Sequence, residues 1–524
     1  MRGKNVSDIG EKARTIFLAV IMITSVMAAG VAFTGSTAAD APPDSPTTDP
    51  GNLQVSLLNE SNGAKVTFGV NTTSKTINKT NATDSDVAVG SVNSDLDNTA
   101  RAIQFAIDNA TTEYSTVRVG SGIYNGSSDI LIDSDDLTLE GPNAGIAGDD
   151  TRDDKALINR TSTPGSGGSA VNVTAAGVTV DGFQIESAAQ NGISVDQPVS
   201  NITIQNNRVT SVAGNTFGSN SGDRATGNGI AIGLPRSASE ATVTGLEVND
   251  NVITGVTTED LASSEDRTTA NGIQVLTRQH NVEGMNITGN VISNLEPGAS
   301  GDSGDNRSRG IVINVGNDGS TIGAADGFTI AGNSISGLTG AGGFSDAAGI
   351  ALFEAGGAAG DGTDRIGPEN FTVTGNRFDN LTNNGKNPAP AIFVGGIQTL
   401  GDSHSVTGNT INSGSVIRFA GNQPGFDPAT ADALNASENT FTDTSANLYY
   451  TDGTDAADLD AVFNDNDFSQ VDVVVGDTAI TRPPTSGEVL NVDQVASFNS
   501  IQNAVDSAML GTQLPLVPAR STSR

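Results

Sequence analysis

The sequence predicts an all-β fold: a right-handed parallel β-helix solenoid with an N-terminal capping helix. Three observations predict it. A short apolar strand led by glycine recurs as Gly192-Ile193-Ser194-Val195, Gly229-Ile230-Ala231-Ile232, Gly272-Ile273-Gln274-Val275, Gly310-Ile311-Val312-Ile313 and Gly349-Ile350-Ala351-Leu352, with Ala391-Ile392-Phe393-Val394 as a variant. Between these copies lies an alternating strand followed by a turn asparagine: Ile202-Thr203-Ile204 before Asn207, Leu246-Glu247-Val248 before Asn251, Met285-Asn286-Ile287 before Asn290, Phe328-Thr329-Ile330 before Asn333 and Phe371-Thr372-Val373 before Asn376. Upstream sits one segment with helical spacing, Ala102 to Ala110.

Period-2 alternation marks the repeated segments as strands with one buried face. They are too short, and too rich in Val, Ile and Thr, for a helical solenoid. One unit cannot bury its apolar face, but coils stacked at about 4.8 Å bury a continuous column. Ile193, Ile230, Ile273, Ile311, Ile350 and Ile392 are expected in that column. Gly and Asn are read as sharp corners, where φ > 0 is needed. Stacked corner asparagines are also able to bond from coil to coil. Shorter copies end at Asn409, Asn439 and Asn466, and polar loops such as Ala213–Gly227, Thr257–Ala270 and Ala355–Asn370 separate the strands.

The helical segment precedes Val117-Arg118-Val119, Gly122-Ile123-Tyr124 and Leu137-Thr138-Leu139-Glu140-Gly141. A helix there would cover the first coil, where open strand edges invite aggregation. With cap, corners and columns together, residues 98–478 resemble the pectin-lyase-like superfamily of right-handed β-helix proteins. That resemblance specifies the fold and says little about function.

Residues 1–39 read as a signal peptide. Arg2, Lys4, Lys12 and Arg14 precede an apolar stretch from Ile16 to Phe33, and small residues at Thr37 and Ala39 suit cleavage before Asp40. The alternative is a membrane anchor, since the apolar stretch is long enough to span a bilayer. The string from Ala13 to Ala39 resembles the signal peptide of haloarchaeal surface glycoproteins, which implies a secreted, extracellular cell-surface or S-layer address. Residues 40–97 form a polar, Asn/Thr-rich segment. Sequons occur along the chain, and the cluster Asn71, Asn78, Asn81 is the first choice for glycosylation. Residues 479–524 read as an incomplete second unit, because Ser500 to Ala508 matches the capping segment position by position.

Bulk composition fits a salt-adapted surface protein. The 524 residues carry a formal charge of −34, from 60 acidic and 26 basic side chains, and aromatics are only 4%. In molar salt the Debye length falls to about 3 Å, so like charges barely repel. The alternative, disorder, conflicts with the ordered repeats. Phosphate binding needs Lys and Arg, so nucleic acid is not an expected partner. The chain has no Cys, which rules out disulfides and thiolate metal sites.

β-Helix enzymes such as pectate lyases, polygalacturonases and uronan epimerases use paired carboxylates, or Ca²⁺ with a basic proton acceptor. The polygalacturonase pattern of close Asp residues with Gly-His-Gly is missing. His280 and His404 are the sole histidines, and His404 reads as a loop or surface residue. The loops after the Gly-Ile strands should bring Asp196, Arg278, His280, Asp318 and Glu354 to one side, where Arg278 or His280 would act as base and the carboxylates would hold Ca²⁺. The plain alternative is a set of solvated loop charges. Gly342 to Asp346, and the pairs Asp135-Asp136, Asp149-Asp150 and Asp153-Asp154, are weaker Ca²⁺ candidates. No other cofactor is implied. Two function classes stay open: a non-catalytic surface protein that is structural or meets a glycan or another surface protein, and a secreted polysaccharide lyase, hydrolase or epimerase. After signal cleavage the protein is not expected to be integral to the membrane.

Overall fold

Alternating apolar residues and regularly spaced turns give each coil the same path, and successive coils pair in parallel. The computed structural model describes residues 52–451 apart from 72–75, 83–98, 442–448 and parts of the loops between coils, together with short strands at Ala479–Ile480, Val489–Asn491 and Ala496–Phe498. Its parallel strands form three long faces. Sheet A runs from Thr116–Val119 to Leu434–Asn435, sheet B begins at Gly122–Gly126, and sheet C begins at Ile130–Ile132. A fourth, short sheet D joins Thr242–Thr244, Asn281–Glu283, Ala325–Asp326 and Pro368–Glu369. The chain is a parallel β-helix.

The predicted aliphatic column is present. Ile193, Ile230, Ile273, Ile311, Ile350 and Ile392 stand opposite one another in successive strands of sheet C, all fully buried. Val171 extends the column upstream and Ile417 downstream. Sheet A contributes a facing column, Val180, Ile204, Val248, Ile287, Ile330, Val373 and Val406. Each fully buried aliphatic contributes roughly 1.5–3 kcal/mol, so these columns are the main source of stability.

The corners differ from the expectation in an instructive way. The turn asparagines Asn207, Asn251, Asn290, Asn333, Asn376, Asn409 and Asn439 form a buried ladder, each Nδ2 donating to the next Oδ1 at 2.9–3.1 Å. The positive φ belongs to the residue before each ladder asparagine: Asn206, Asp250, Gly289, Gly332, Gly375, Gly408 and Glu438. The ladder asparagine is therefore chosen for its amide, and its neighbour for its backbone. Intervals of 44, 39, 43, 43, 33 and 30 residues separate the rungs, so loop length varies while the corner stays in register.

The Gly-Ile glycines also have another cause. None of Gly192, Gly229, Gly272, Gly310 and Gly349 has a positive φ. A Cβ on Gly310 would stand 2.5 Å from the Gly349 carbonyl oxygen and 2.7 Å from Ile335 Cγ2. The backbones of adjacent coils simply approach too closely there for a side chain.

At the N-terminal end, each open edge of the first coil is closed by a different device. The polar segment carries strands that its composition does not announce. Asn52–Asn59 pairs antiparallel with Ala64–Asn71 and with Thr116–Val119, which seals sheet A. The Tyr124 hydroxyl ties this strand down by donating to Gly120 O at 2.9 Å and Gln54 O at 3.2 Å. Sheet B is covered by Thr99 and Ala100, which bond the backbone of Ile123 and Asn125. The helix Arg101–Asp108 buries Ala102, Ile103, Ala106 and Ile107 against the column end, as predicted. From its flank, the Gln104 amide takes both backbone groups of Leu131, at 2.7 and 2.9 Å, and so mimics a neighbouring strand on sheet C.

Three further expectations change. His404 is not a surface residue: it lies on the strand His404–Thr407, is 2% exposed, and stacks on Phe371 with ring centroids 4.6 Å apart. It continues an inward column in which Phe371 stacks on Phe328. The segment read as a loop around Ala213 is instead a hairpin, with Asn215 to Phe217 paired antiparallel to Arg224 to Thr226. Sheet C is buried on both faces at several coils, since Ser194, Ala231, Val312 and Ala351 are at most 6% exposed although they alternate with inward residues. The expected rung at Asn466 and the second capping segment, Ser500 to Ala508, lie outside the described residues.

Candidate functional site

The strand Asn191–Val195 ends sheet C in its coil, and Asp196 follows directly. Ser194 and Asn172 sit opposite each other in neighbouring strands, between the inward pairs Ile193/Val195 and Val171/Val173. Ser194 Oγ contacts Asp196 Oδ2 at 3.2 Å, Asn172 Oδ1 at 3.2 Å and Ser169 Oγ at 2.6 Å. Asp129 pairs with the buried guanidinium of Arg160 and also accepts the Ser169 N–H at 3.3 Å. Asp196 is half-buried, and burial pushes its carboxyl above the ordinary range, an effect increased by the Asp129 charge. Bonds from Ser194 and Asn172 and the charge of Arg278 oppose the rise. A cleft of about 430 Å³ adjoins this cluster, between the capping helix and Ile130–Ile132. It is lined by Arg101, Gln104, Phe105, Asp108, Asp129 and Leu131.

Of the five sequence-predicted residues, Asp196 and Arg278 lie within electrostatic reach of each other. Arg278 occupies a left-handed turn, φ 52°, whose carbonyl accepts the Gly323 N–H at 2.6 Å. His280 does not join them at the surface. It is 0% exposed, and a Cβ on Gly323 would stand 2.1 Å from its carbonyl oxygen, so the next coil packs directly over it. A polymeric substrate has no access to such an imidazole. Glu354 lies on the strand Ala347–Ala355, opposite Val315. Asp318, and the Gly342 to Asp346 turn, fall outside the described residues.

Sequence reasoning missed Asp129, Arg160, Asn172 and Ser194. The signal for two of them was present: a polar residue flanked by two inward aliphatics must face outward on a strand. Nothing local joins Asp129 to Asp196, because the stacking of coils brings them together.

Among the other Ca²⁺ candidates, Asp135 and Asp136 have partners within the fold, and Asp153 lies outside the described residues. Asp135 Oδ1 accepts the Ala176 N–H at 2.9 Å, and the Asp136 carboxylate rests against the Gly177 turn. Arg208 and Arg152 bond the carbonyls of Asp150 and Ile146, so the loop at residues 141–152 clasps the coils beside it. Among the described residues, no group of three or more His, Asp or Glu side chains is placed to hold a metal ion. The sequon residues Asn71, Asn78 and Asn81 lie on the antiparallel strands Ala64–Asn71 and Thr76–Ala82 at the outer margin of sheet A. No helix among the described residues is long and apolar enough to cross a membrane.

No protein-family model matches the chain, and no curated protein matches it. Solved structures similar to it include the catalytic domain of a GH87 alpha-1,3-glucanase in complex with tetrasaccharides, at 13% identity and a TM-score of 0.32 over 75% of this chain and 70% of that one. Dettilon tailspike protein is similar at 17% identity and a TM-score of 0.28, over 74% and 69%. Neither similarity bears on the chemistry of this chain, whose fold rests on its own strand pairing.

Proposed function

We propose that the chain is an exported haloarchaeal cell-surface β-helix protein, structural or glycan-interacting, without evident catalysis. The observation that carries the glycan reading is the linked cluster of Asp129, Ser169, Asn172, Ser194 and Asp196, whose Asp129 lines a cleft. Carboxylate, amide and hydroxyl groups are what pair with sugar hydroxyls, and a few convergent polar groups beside a concavity mark a binding site. The export reading is supported by the leader-like Met1 to Ala39 and the acidic surface.

The test is a glycan array in molar NaCl, with Asp196→Asn beside the wild type. Binding that Asp196→Asn weakens at least tenfold is expected. Binding that this variant leaves unchanged would refute the site. Sequencing the N-terminus of protein from the native host tests export, with Asp40 the expected first residue and an intact Met1 the refuting one.

A lyase, hydrolase or epimerase is the second reading, favoured by one observation. Burial raises the Asp196 carboxyl, and Ser194 and Ser169 link it to a second carboxylate, Asp129, a pairing that acid–base chemistry uses. Depolymerisation or epimerisation of any acidic or neutral glycan, assayed in molar salt with Ca²⁺, would establish it. Persistence of that activity in Arg278→Ala would exclude Arg278 as its base.

A further inference from the structure

We infer that Asn201, Asn370 and Asn380 are N-glycosylation sites. The inference rests on the export reading above. All three head sequons: Asn201-Ile202-Thr203, Asn370-Phe371-Thr372 and Asn380-Leu381-Thr382. All three are exposed, and each sits in a left-handed turn, with φ of 61°, 48° and 51°.

Those turns form columns along the solenoid. Asn201, Gly245, Gly284, Gly327 and Asn370 occupy one corner in successive coils, immediately before the strands of sheet A. Gly255, Asn294, Gly337 and Asn380 occupy a second, within sheet B. Glycine suits a positive φ best, and most coils use it. Among the described residues five asparagines adopt positive φ: Asn201, Asn206, Asn294, Asn370 and Asn380. Of these, the buried Asn206 uses its amide on Asp181 at 2.8 Å and is no sequon, nor is Asn294. The remaining three combine exposure, turn and sequon.

Five other sequons on the solenoid have their amides committed or enclosed. Asn286 donates to Glu247 at 2.8 Å within sheet A, Asn109 to Phe105 O at 2.8 Å, and Asn159 to Asn125 at 2.8 Å. Asn59 is 4% exposed, and half-buried Asn172 accepts from Ser194 inside the cluster. A glycan on Asn286 would break a part-buried bond between coils, whereas Asn159 makes an exposed bond like that of Asn370 but lies within a strand and not in a left-handed turn. At Asn201 and Asn380 the folded state loses no such bond. At Asn370 it exchanges one exposed contact, to Asp326 at 2.7 Å.

The chemistry is a substitution at a sugar carbon. Nδ2 forms a C–N bond to the anomeric carbon of a glycosyl phosphate donor as the C–O bond breaks. The phosphate leaves with the bonding pair, and a base on the transferase takes the amide proton. Asn201 and Asn370 stand four coils apart, roughly 19 Å at the usual strand spacing. None of the three lies on sheet C.

Peptide mass mapping of the protein from its native host is the test, read with its N-terminal sequence. Glycan mass on the peptides of Asn201, Asn370 and Asn380, with Asn172 and Asn286 bare, is expected. A mature N-terminus near Asp40 with those three sites bare, or with glycan on Asn172 or Asn286, overturns this inference alone. An intact Met1 and no glycan overturns it together with the export reading. As a second measurement, Asn201→Gln/Asn370→Gln/Asn380→Gln expressed in the host should lose the glycan mass and keep its fold by circular dichroism. Retention of that mass places the glycans elsewhere and overturns the inference.

Discussion

Replacing Asn290 by alanine tests whether the corner ladder holds the coils together. Asn290 is fully buried, and its Oδ1 accepts both the backbone N–H and the Nδ2 of Asn251 at 3.0 Å. Its Nδ2 donates to Val248 O at 2.8 Å and to Asn333 Oδ1 at 3.0 Å. In Asn290→Ala the Asn251 N–H loses its acceptor in a site closed to water, and the Val248 carbonyl loses a donor. Each such buried group costs about 1–3 kcal/mol, and the lost amide bonds add about 1 kcal/mol. The sum is roughly 3–7 kcal/mol, far above the effect of an outward change such as Thr329→Ala, expected within about 0.5 kcal/mol. Asn290→Asp keeps the acceptor for Asn251 but turns a carboxylate toward the Val248 carbonyl, so it should not rescue. Guanidinium chloride unfolding in a fixed molar NaCl background, followed by circular dichroism, gives the midpoints. A loss under about 1 kcal/mol in Asn290→Ala would refute the reasoning, because it would mean that water or a shifted turn satisfies the orphaned groups.

The other predictions test the remaining devices of the fold. Gly310→Ala places a Cβ 2.5 Å from the Gly349 carbonyl oxygen and should cost about 1–3 kcal/mol. Gly233→Ala, with nothing within 4 Å, should stay within about 0.5 kcal/mol, and equal midpoints for the two would dismiss the crowding argument. Gln104→Ala uncovers the Leu131 edge of sheet C, so light scattering should show association that the wild type lacks. For Asp196 the folded carboxyl is raised, so the folded state binds this proton more tightly than the unfolded chain does. Wild-type stability should therefore rise relative to Asp196→Asn as pH falls from neutral through the ordinary carboxylate range to below it. Parallel melts whose difference is flat with pH would contradict that. With a net charge of −34, the melting temperature should fall from molar salt to dilute buffer, where repulsion is unscreened; an unchanged melt would remove the case for salt adaptation.

The sequence by itself determined the solenoid, because period-2 alternation, repeated at intervals, can bury its apolar face only by stacking. The six column isoleucines, the coil-to-coil bonding of the asparagines and the capping helix were all legible, since each is written in local spacing. The causes at the corners were less so. A glycine that avoids a clash with the next coil and a glycine that permits a positive φ look alike in sequence, and Gly310 and Gly289 separate only in three dimensions. His404 was misread because its neighbours along the chain are polar, whereas its neighbour across the coils is Phe371. The site followed the same rule. Asp196 and Arg278 could be chosen as charges that follow equivalent strands, but loop positions carry no period, and His280 proved to be buried. Asp129 joined Asp196 only through tertiary structure, because coil stacking brings together residues that no local pattern connects.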